Sequence, residues 1–433
     1  MNMNAQEVIE AIHGSYATGS KNGFRNTLEL MDAVCPSRGQ CPSLSVPVIH
    51  VAGTNGKGST CAMLESILRH AGYRTGLYTS PFLQAYQERI RLDGEPISDA
   101  LLEKYGNPLV DAARKMEARD AFVTPFEMGT ALALAVFEGE QVDVAIVEVG
   151  MGGRLDPTNV VSPILCGIAA IGLDHTAFLG DTLAAIAGEK AGIIKPGVPL
   201  VCHPAVPEVA EVFASAAREK HAPIRQLERG MVTLLSADAH GSTATFSLEE
   251  TWRDMLLSLP GEHQLTNALT VLAMVEELRK QDLNLPPEAV REGLANTRWP
   301  ARLEWCGNVL IDGAHNIQGV TALAEFVGKH LSGRRCVLLT GVLRDKLQLE
   351  MLRQFMSISA DVVTVTPDSP RALPAGEYAE ALTQLGAHAA AAETLAEGLS
   401  VARALAGDDG VIIAAGSLYF AGELRTLLGL GWQ

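Results

Sequence analysis

The residues best suited to chemistry are Gly53-Thr54-Asn55-Gly56-Lys57-Gly58-Ser59-Thr60. They follow an apolar run, 46–51, and lead into a helix-period pattern, 59–70. Glycines let backbone N–H groups turn inward around a phosphate, and a helix N-terminus adds partial positive charge. Lys57 supplies a full charge, and Ser59 or Thr60 can offer a hydroxyl to a metal ion or phosphate. The strict phosphate-loop pattern places Ser or Thr directly after Lys; here Gly58 intervenes. The competing reading is a tight turn with no ligand, but the strand–loop–helix context favours nucleotide binding. Such a loop alone does not separate an ATPase from a kinase or a ligase.

A second group of residues is predicted to reach the same sheet edge. Glu148 closes the apolar run 143–149, and ligands sit at the carboxyl ends of parallel strands. A carboxylate there suits Mg²⁺ held against nucleotide phosphates, the alternative being a helix cap or an ion pair. The run 164–171 leads to Asp174-His175. Mg²⁺ prefers oxygen, so a structural role for His175 stays open. Ser80, before Pro81, is at that edge too, or is simply a turn serine. Lys190, in GEKAGIIKPG, is either solvated, paired with Glu189, or converted by CO₂ to a carbamate. A carbamate would turn the cation into an anion able to hold a second metal ion.

These positions need a sheet to carry them. Short apolar runs at 46–51, 75–78, 143–149, 164–171 and 198–202, then 308–312, 336–339, 361–366 and 410–414, alternate with helical patterns such as 59–70, 127–137 and 316–330. Doubly buried strands followed by helices predict parallel sheets, so the fold class is α/β. Residues 226–257 are less regular and read as an antiparallel side layer. The helical pattern 265–279 gives way to the polar, Pro-containing QDLNLPPEAV, and NTRWPARLE introduces a fresh strand. We therefore expect domains at 1–298 and 299–433, the second large enough to fold alone.

The length of 433 residues agrees with two to three domains, and 47% hydrophobic residues exclude global disorder. Lys and Arg total 34 against 50 Asp and Glu, a net charge of −16, which argues against a nucleic-acid partner but permits a local basic pocket. No signal peptide and no membrane-spanning run are apparent, so a cytoplasmic protein is expected. The seven cysteines, including the close pair Cys35 and Cys41, have no zinc-type spacing and read as reduced thiols.

The segments GTNGKGS, TSP, EVGMGGRLD, LDH, EKAGIIKPG, GEHQLTNA, WPARLE and DGAHN occur in this order. With them the chain resembles bacterial folylpolyglutamate synthase, often bifunctional with dihydrofolate synthase, of the Mur ligase superfamily. The match is dense over roughly residues 50–320. The resemblance implies a P-loop Mur-ligase-like ATPase domain and a smaller Rossmann-like C-terminal domain, with ATP and a pterin substrate in the cleft between them. It implies that Gly53, Thr54, Asn55, Gly56, Lys57, Gly58 and Ser59 cradle phosphates, with Asn267, Arg302 and Asp312 reaching the nucleotide. Ser80, Glu148 and His175 match the family's Mg²⁺ positions, and Lys190 its carbamylated lysine. Thr124, Phe126, Glu127, Leu155 and Asp156 match pterin-side contacts. His315 and Ser417 match positions near the incoming glutamate; Lys57, Lys190 and His315 would be catalytic. Two Mg²⁺ ions, a monovalent cation and ATP as co-substrate are implied. Departures lie mainly on the folate side: Phe82 where His is frequent, Pro157 where Ala is, Ala301 where Gly is, and KNGFRNTLEL in place of an LGLERV-like segment.

The implied chemistry is amide formation. The ATP γ-phosphoryl group converts a carboxylate to an acyl phosphate, and the α-amine of L-glutamate displaces phosphate. The acid is a reduced folate and, since TPFE leans toward the bifunctional type, dihydropteroate as well. A peptidoglycan-precursor ligase would carry a further N-terminal domain, for which a loop beginning at Gly53 leaves no room. A P-loop regulator without ligase activity would not need Glu148, His175 and Lys190 together. A monomer is expected.

Overall fold

In the computed structural model, residues 2–15, 24–34, 45–346 and 349–431 are described. Cys35 and Cys41 lie outside these residues; Cys61, Cys166, Cys202, Cys306 and Cys336 are free thiols, the first three buried. The chain divides into two compact units. One comprises Met1–Thr233, Ala244–Leu256 and Thr266–Thr297, the other Leu234–Thr243, Leu257–Leu265 and Arg298–Gln433.

The strands of the first unit's main sheet are β1 (Val48–Ala52), β2 (Thr75–Tyr78), β3 (Ile90–Leu92), β4 (Glu95–Pro96), β5 (Val144–Glu148), β6 (Leu165–Ile168), β7 (Leu200–Cys202) and β8 (Ile224–Gln226). Their order is β4-β3-β2-β5-β1-β6-β7-β8. Pairing is parallel from β2 to β8 and antiparallel only at the β3 and β4 edge. Every residue of β1, β2, β5 and β6 is buried, as parallel strands covered on both faces must be. One core cluster joins Tyr78 and Val147 to Leu132 and Phe137 of the helix Pro125–Gly139, and another joins Ala52, Ile168 and Cys202 to Phe213 of the helix Pro207–Glu219. The chain leaves β1 for β2, returns to fill the gap with β5, then crosses to β6 on the other side. Reversal of direction at β1 opens a crevice at the carboxyl ends of β1, β5 and β6, the usual ligand position in such sheets.

A three-stranded sheet follows, from β9 (Val232–Ala237), β10 (Ser242–Ser247) and β11 (Thr251–Leu257), in the order β11-β10-β9. These strands fall within residues 226–257, the expected side layer, whereas Gln226 belongs to β8 of the main sheet. The second unit's sheet consists of β12 (Glu304–Cys306), β13 (Val309–Ile311), β14 (Cys336–Thr340), β15 (Asp361–Thr364), β16 (His388–Ala391) and β17 (Val411–Ala415), ordered β12-β13-β17-β14-β15-β16. Only β12 pairs antiparallel. Leu310, Leu338 and Ile413 pack there with Phe326 and Phe355 of two helices. The large, mainly parallel sheet, the three-stranded sheet and the second unit's sheet make this an α/β protein. Among the described residues no helix is long and apolar enough to cross a membrane.

The polar, Pro-containing stretch ahead of the expected domain boundary carries a helix. QDLNLPPEAV ends inside a helix, Pro287–Ala295, whose first residue is a proline that needs no N–H there. That helix packs on Lys57–His70, which begins at the phosphate loop. A Cβ on Gly293 would lie 2.5 Å from Ile67 Cα, and Ser66 Oγ donates to the Gly293 carbonyl at 2.8 Å. Gly293→Val should therefore destabilise the protein by about 3 kcal/mol, because backbone rather than a flexible side chain must give way. Thermal denaturation reads this as a clear fall in Tm; an unchanged Tm would mean the two helices separate freely.

Candidate active site

The phosphate loop is held from below by the end of β6. The Thr54 and Asn55 N–H groups donate to the Ala170 carbonyl at 2.8 and 3.2 Å. Thr54 Oγ1 donates to the Gly172 carbonyl and accepts from its N–H, both at 3.1 Å. Gly53 takes φ 150°, and a Cβ there would sit 2.8 Å from Ala169 Cβ. Gly56 takes φ 82° and presses on Asn267, whose Oδ1 would be 2.5 Å from an added Cβ. No side chain caps the helix Lys57–His70 at Gly56. Its first-turn amides, at 57–59, point out of the N-terminus, where the helix dipole favours an anion. The Thr54 and Asn55 amides are thus committed to the Ala170 carbonyl. The Thr60 hydroxyl in the same turn is buried without a hydrogen-bond partner.

Two lysines converge on one oxygen. Lys57 Nζ donates to the Gly53 carbonyl at 3.1 Å and to that of Thr54 at 3.2 Å. Lys190, the last residue of the helix Leu183–Lys190 and only 4% exposed, donates to the same Gly53 carbonyl at 2.7 Å. Burial, followed by the Lys57 charge, lowers the Lys190 pKa to about 7 against the opposing pull of Asp174 and Asp156. Glu189 does not pair with Lys190; its carboxylate meets Arg154 at 3.4 Å and its carbonyl accepts the Arg154 N–H at 2.8 Å. Gly153 fits against the Lys190 backbone, 3.0 Å from its Cα were a Cβ present. The segment after β5 is thereby seated on Lys190.

Glu148, at the end of β5 and 4% exposed, lies in register with Val51 of β1 and accepts the Ser80 N–H at 3.1 Å. Both offer oxygen donors. His175 stands on an exposed turn at φ 49°, its N–H donating to Asp174 Oδ1 at 2.8 Å. Among the described residues no group of three or more His, Cys, Asp or Glu is arranged to hold a metal. A carboxylate and a serine hydroxyl completed by nucleotide phosphates fit Mg²⁺, which takes few protein ligands; they do not fit a soft metal that seeks thiolate or imidazole.

Several pterin-side candidates also shape the backbone. Thr124 and Glu127 form a capping box around Pro125: Thr124 N–H and Oγ1 donate to Glu127 Oε2 at 2.8 and 2.9 Å, and Glu127 N–H donates to Thr124 Oγ1 at 3.2 Å. Phe126 lies tilted against Tyr78, ring centroids 6.1 Å apart, and Gly150 packs on its ring. Asp156 is buried and caps the short helix Pro157–Val160, whereas Leu155 is exposed. Met151, Leu173 and Phe178 are exposed apolar residues that the sequence reading passed over, on the segments following β5 and β6.

In the second unit, Arg302, Asp312 and His315 surround Gly313. Arg302 Nη1 donates to the Ala301 carbonyl at 2.9 Å and would touch a Cβ at 313. Asp312 is buried and accepts from the N–H groups of Leu303 at 2.9 Å and Ala314 at 2.8 Å; burial raises its pKa while Arg302 opposes the rise. His315 Nδ1–H donates to the Gly313 carbonyl at 2.8 Å, which leaves Nε2 as the basic ring nitrogen. Ser417 caps the helix Leu418–Leu427 through the Phe420 N–H at 3.1 Å, and the adjoining Gly416 N–H reaches the Ala314 carbonyl.

Residues 51–275 match the Mur ligase middle domain and residues 301–418 the Mur ligase, glutamate ligase domain. A dihydrofolate synthase/folylpolyglutamate synthase of Bacillus subtilis is 36% identical over 98% of this chain and 99% of its own. The Mycobacterium tuberculosis folylpolyglutamate synthase complexed with ADP superposes at TM-score 0.89 with 34% identity, covering 99% of both chains. E. coli FolC in complex with DHPP and ADP superposes at 0.85 with 28% identity, covering 99% of this chain and 98% of its own. The chain belongs to the dihydrofolate synthase/folylpolyglutamate synthase family of Mur ligases.

It is therefore an ATP-dependent ligase, and the phosphate loop has a task to match. Ala301, one of the departures noted in the sequence, sits at φ 53°, a left-handed conformation that costs an L-residue about 1 kcal/mol. The loop glycines allow a direct comparison. Gly56→Ala meets both a left-handed backbone and Asn267, whereas Gly72→Ala at φ 89° meets open space. Gly56→Ala should weaken ATP binding at least ~10-fold, and Gly72→Ala should cost only about 1 kcal/mol of stability with ATP affinity unchanged. Calorimetric titration with ATP separates the two; equal affinities would remove Gly56 from the phosphate cradle.

Proposed function

We propose that this ligase adds L-glutamate to the terminal carboxylate of reduced folates and to dihydropteroate, through an acyl phosphate. The observation carrying this reading is the convergence of Lys57 and Lys190 on the Gly53 carbonyl at a helix N-terminus, beside the Glu148 carboxylate. The E. coli relative with DHPP and ADP supports the dihydropteroate branch.

Lys57 and the first-turn amides hold the β- and γ-phosphates, and Asn267 fixes the loop through Gly56. Glu148 and Ser80 would hold Mg²⁺, with His175 supplying a further contact from its turn. Bound there, the ion neutralises phosphate charge. The apolar surface of Met151 and Leu155, with Phe126, offers a face for a pterin ring, and Thr124, Glu127 and Asp156 shape that face. Arg302 and Asp312 contact the nucleotide. His315, fixed through Nδ1, presents Nε2 toward the glutamate amine, and Ser417 lies in the adjoining turn. The chain acts as a monomer in the cytoplasm.

Lys190 is carbamylated in the working enzyme. A pKa of about 7 makes a neutral amine abundant at neutral pH, and only the neutral amine attacks CO₂. The carbamate would remove the repulsion between two cations sharing one carbonyl and would offer an oxygen ligand to a second Mg²⁺, with a monovalent cation nearby. Labelled bicarbonate should give a ¹³C carbamate signal that disappears in Lys190→Gln; a signal that persists would place it elsewhere. Carbamate formation should strengthen as pH rises through 7, because deprotonation exposes the amine.

A substrate panel with mass-resolved products tests the main reading. ATP should yield ADP only when both a pterin acid and L-glutamate are present. Tetrahydrofolate and dihydropteroate should each gain one glutamate. Product with tetrahydrofolate alone would leave a folylpolyglutamate synthase without the second activity; no product with either would refute the reading.

A further inference from the structure

His50 is an unexpected residue in β1, where all five side chains are buried. Its Nε2 lies 2.9 Å from Thr158 Oγ1, and Thr158 Oγ1 lies 2.5 Å from Asp156 Oδ1. The Thr158 N–H also donates to Asp156 Oδ1, at 3.0 Å, and the Met151 N–H donates to Oδ2 at 2.8 Å. A threonine hydroxyl has one proton, and the short contact assigns it to the carboxylate. Thr158 must then accept from His50, which makes His50 an Nε2–H donor. The other nitrogen agrees: Nδ1 is buried without a hydrogen-bond partner, as an unprotonated acceptor can be at lower cost than a stranded N–H. Burial keeps the ring neutral, with a pKa of about 3.

We infer that His50 is a positioning residue which, acting through Thr158 and Asp156, holds the 151–156 segment in register with the strand that carries the phosphate loop. The inference rests on the reading of that segment as the acid-binding face. Three residues beyond His50 lies Gly53, whose carbonyl receives both lysines. The other end of the chain of hydrogen bonds is the Met151 amide, on the segment whose Gly153 is seated on Lys190. The link thus joins the group that holds the acceptor acid to the group that holds the γ-phosphate. Phosphoryl transfer needs those two in line at close range, and small misplacements are expensive. A buried histidine that merely filled space would not need a threonine hydroxyl aimed at a carboxylate.

Thr158→Val keeps the side-chain shape and removes the hydroxyl; His50→Leu removes the ring donor; His50→Gln retains an N–H near the Nε2 position. Thr158→Val and His50→Leu should each lower kcat/KM for the pterin acid by roughly 10- to 100-fold with KM for ATP unchanged. The double variant should be no worse than the poorer single variant, because one chain is broken once. His50→Gln and Thr158→Ser should recover most of the loss. Losses that multiply, or that raise KM for ATP equally, would overturn the inference. ¹⁵N NMR of the whole protein provides a readout independent of turnover. The His50 ring should show a protonated Nε2 whose resonance moves in Thr158→Val, and an unmoved resonance would contradict the link even if His50→Leu failed to fold. Absence of ligation by the wild-type protein would instead refute the proposed function, leaving the NMR result to decide the link.

Discussion

Two ammonium groups aimed at a single backbone carbonyl, that of Gly53, make an arrangement that needs an anion. Lys57 belongs to the phosphate loop itself, and Lys190 arrives from a helix 133 positions later (190 − 57). In water two such charges would repel each other mildly, but away from solvent the repulsion grows and one lysine tends to lose its proton. The depressed pKa of Lys190 expresses that conflict. A polyphosphate, or conversion of Lys190 to an anion, resolves it. Most other features at this sheet edge either bring these groups together or keep them apart from water.

The fold supplies the position. Reversal of the chain at β1 places the ends of β1, β5 and β6 side by side, so three following segments can share one site. Each is then tied to its neighbour by backbone rather than by long side chains. Ala170 and Gly172 hold the phosphate loop, and Gly153 rests on Lys190. Fixed dipoles and tightly seated glycines give a site that reorganises little as charge moves, which favours a reaction that passes through crowded phosphate charge. Buried carboxylates such as Asp156 and Asp312 spend their oxygens on backbone amides, so they shape turns as well as line sites.

Much of this was legible in the sequence because it is local. The buried strands announce themselves as short apolar runs, and all nine expected ones occur, with ends displaced by a few residues. Short strands at or next to a sheet edge, such as β3, β4, β12 and β16, escaped, since two to four residues carry too little pattern. QDLNLPPEAV showed only as a polar, Pro-containing stretch, yet its Pro287 starts a helix. Motifs single out the candidate site residues, but not the partners that hold them. Glu189 looked like a partner for Lys190 by adjacency, whereas successive helix residues face different directions and Glu189 turns to Arg154. Thr124 and Glu127 have the spacing of a capping box, a signal that could have been read directly. The His50–Thr158–Asp156 link joins residues 108 positions apart, and its only trace in the sequence is a histidine inside an apolar strand.

The account stands or falls on where the triphosphate lies. A crystal structure with a non-hydrolysable ATP analogue should show the terminal phosphates against the amides at 57–59 and within reach of Lys57 Nζ. Phosphates bound away from this turn, with the Gly53 carbonyl still gripped by both lysines, would contradict it.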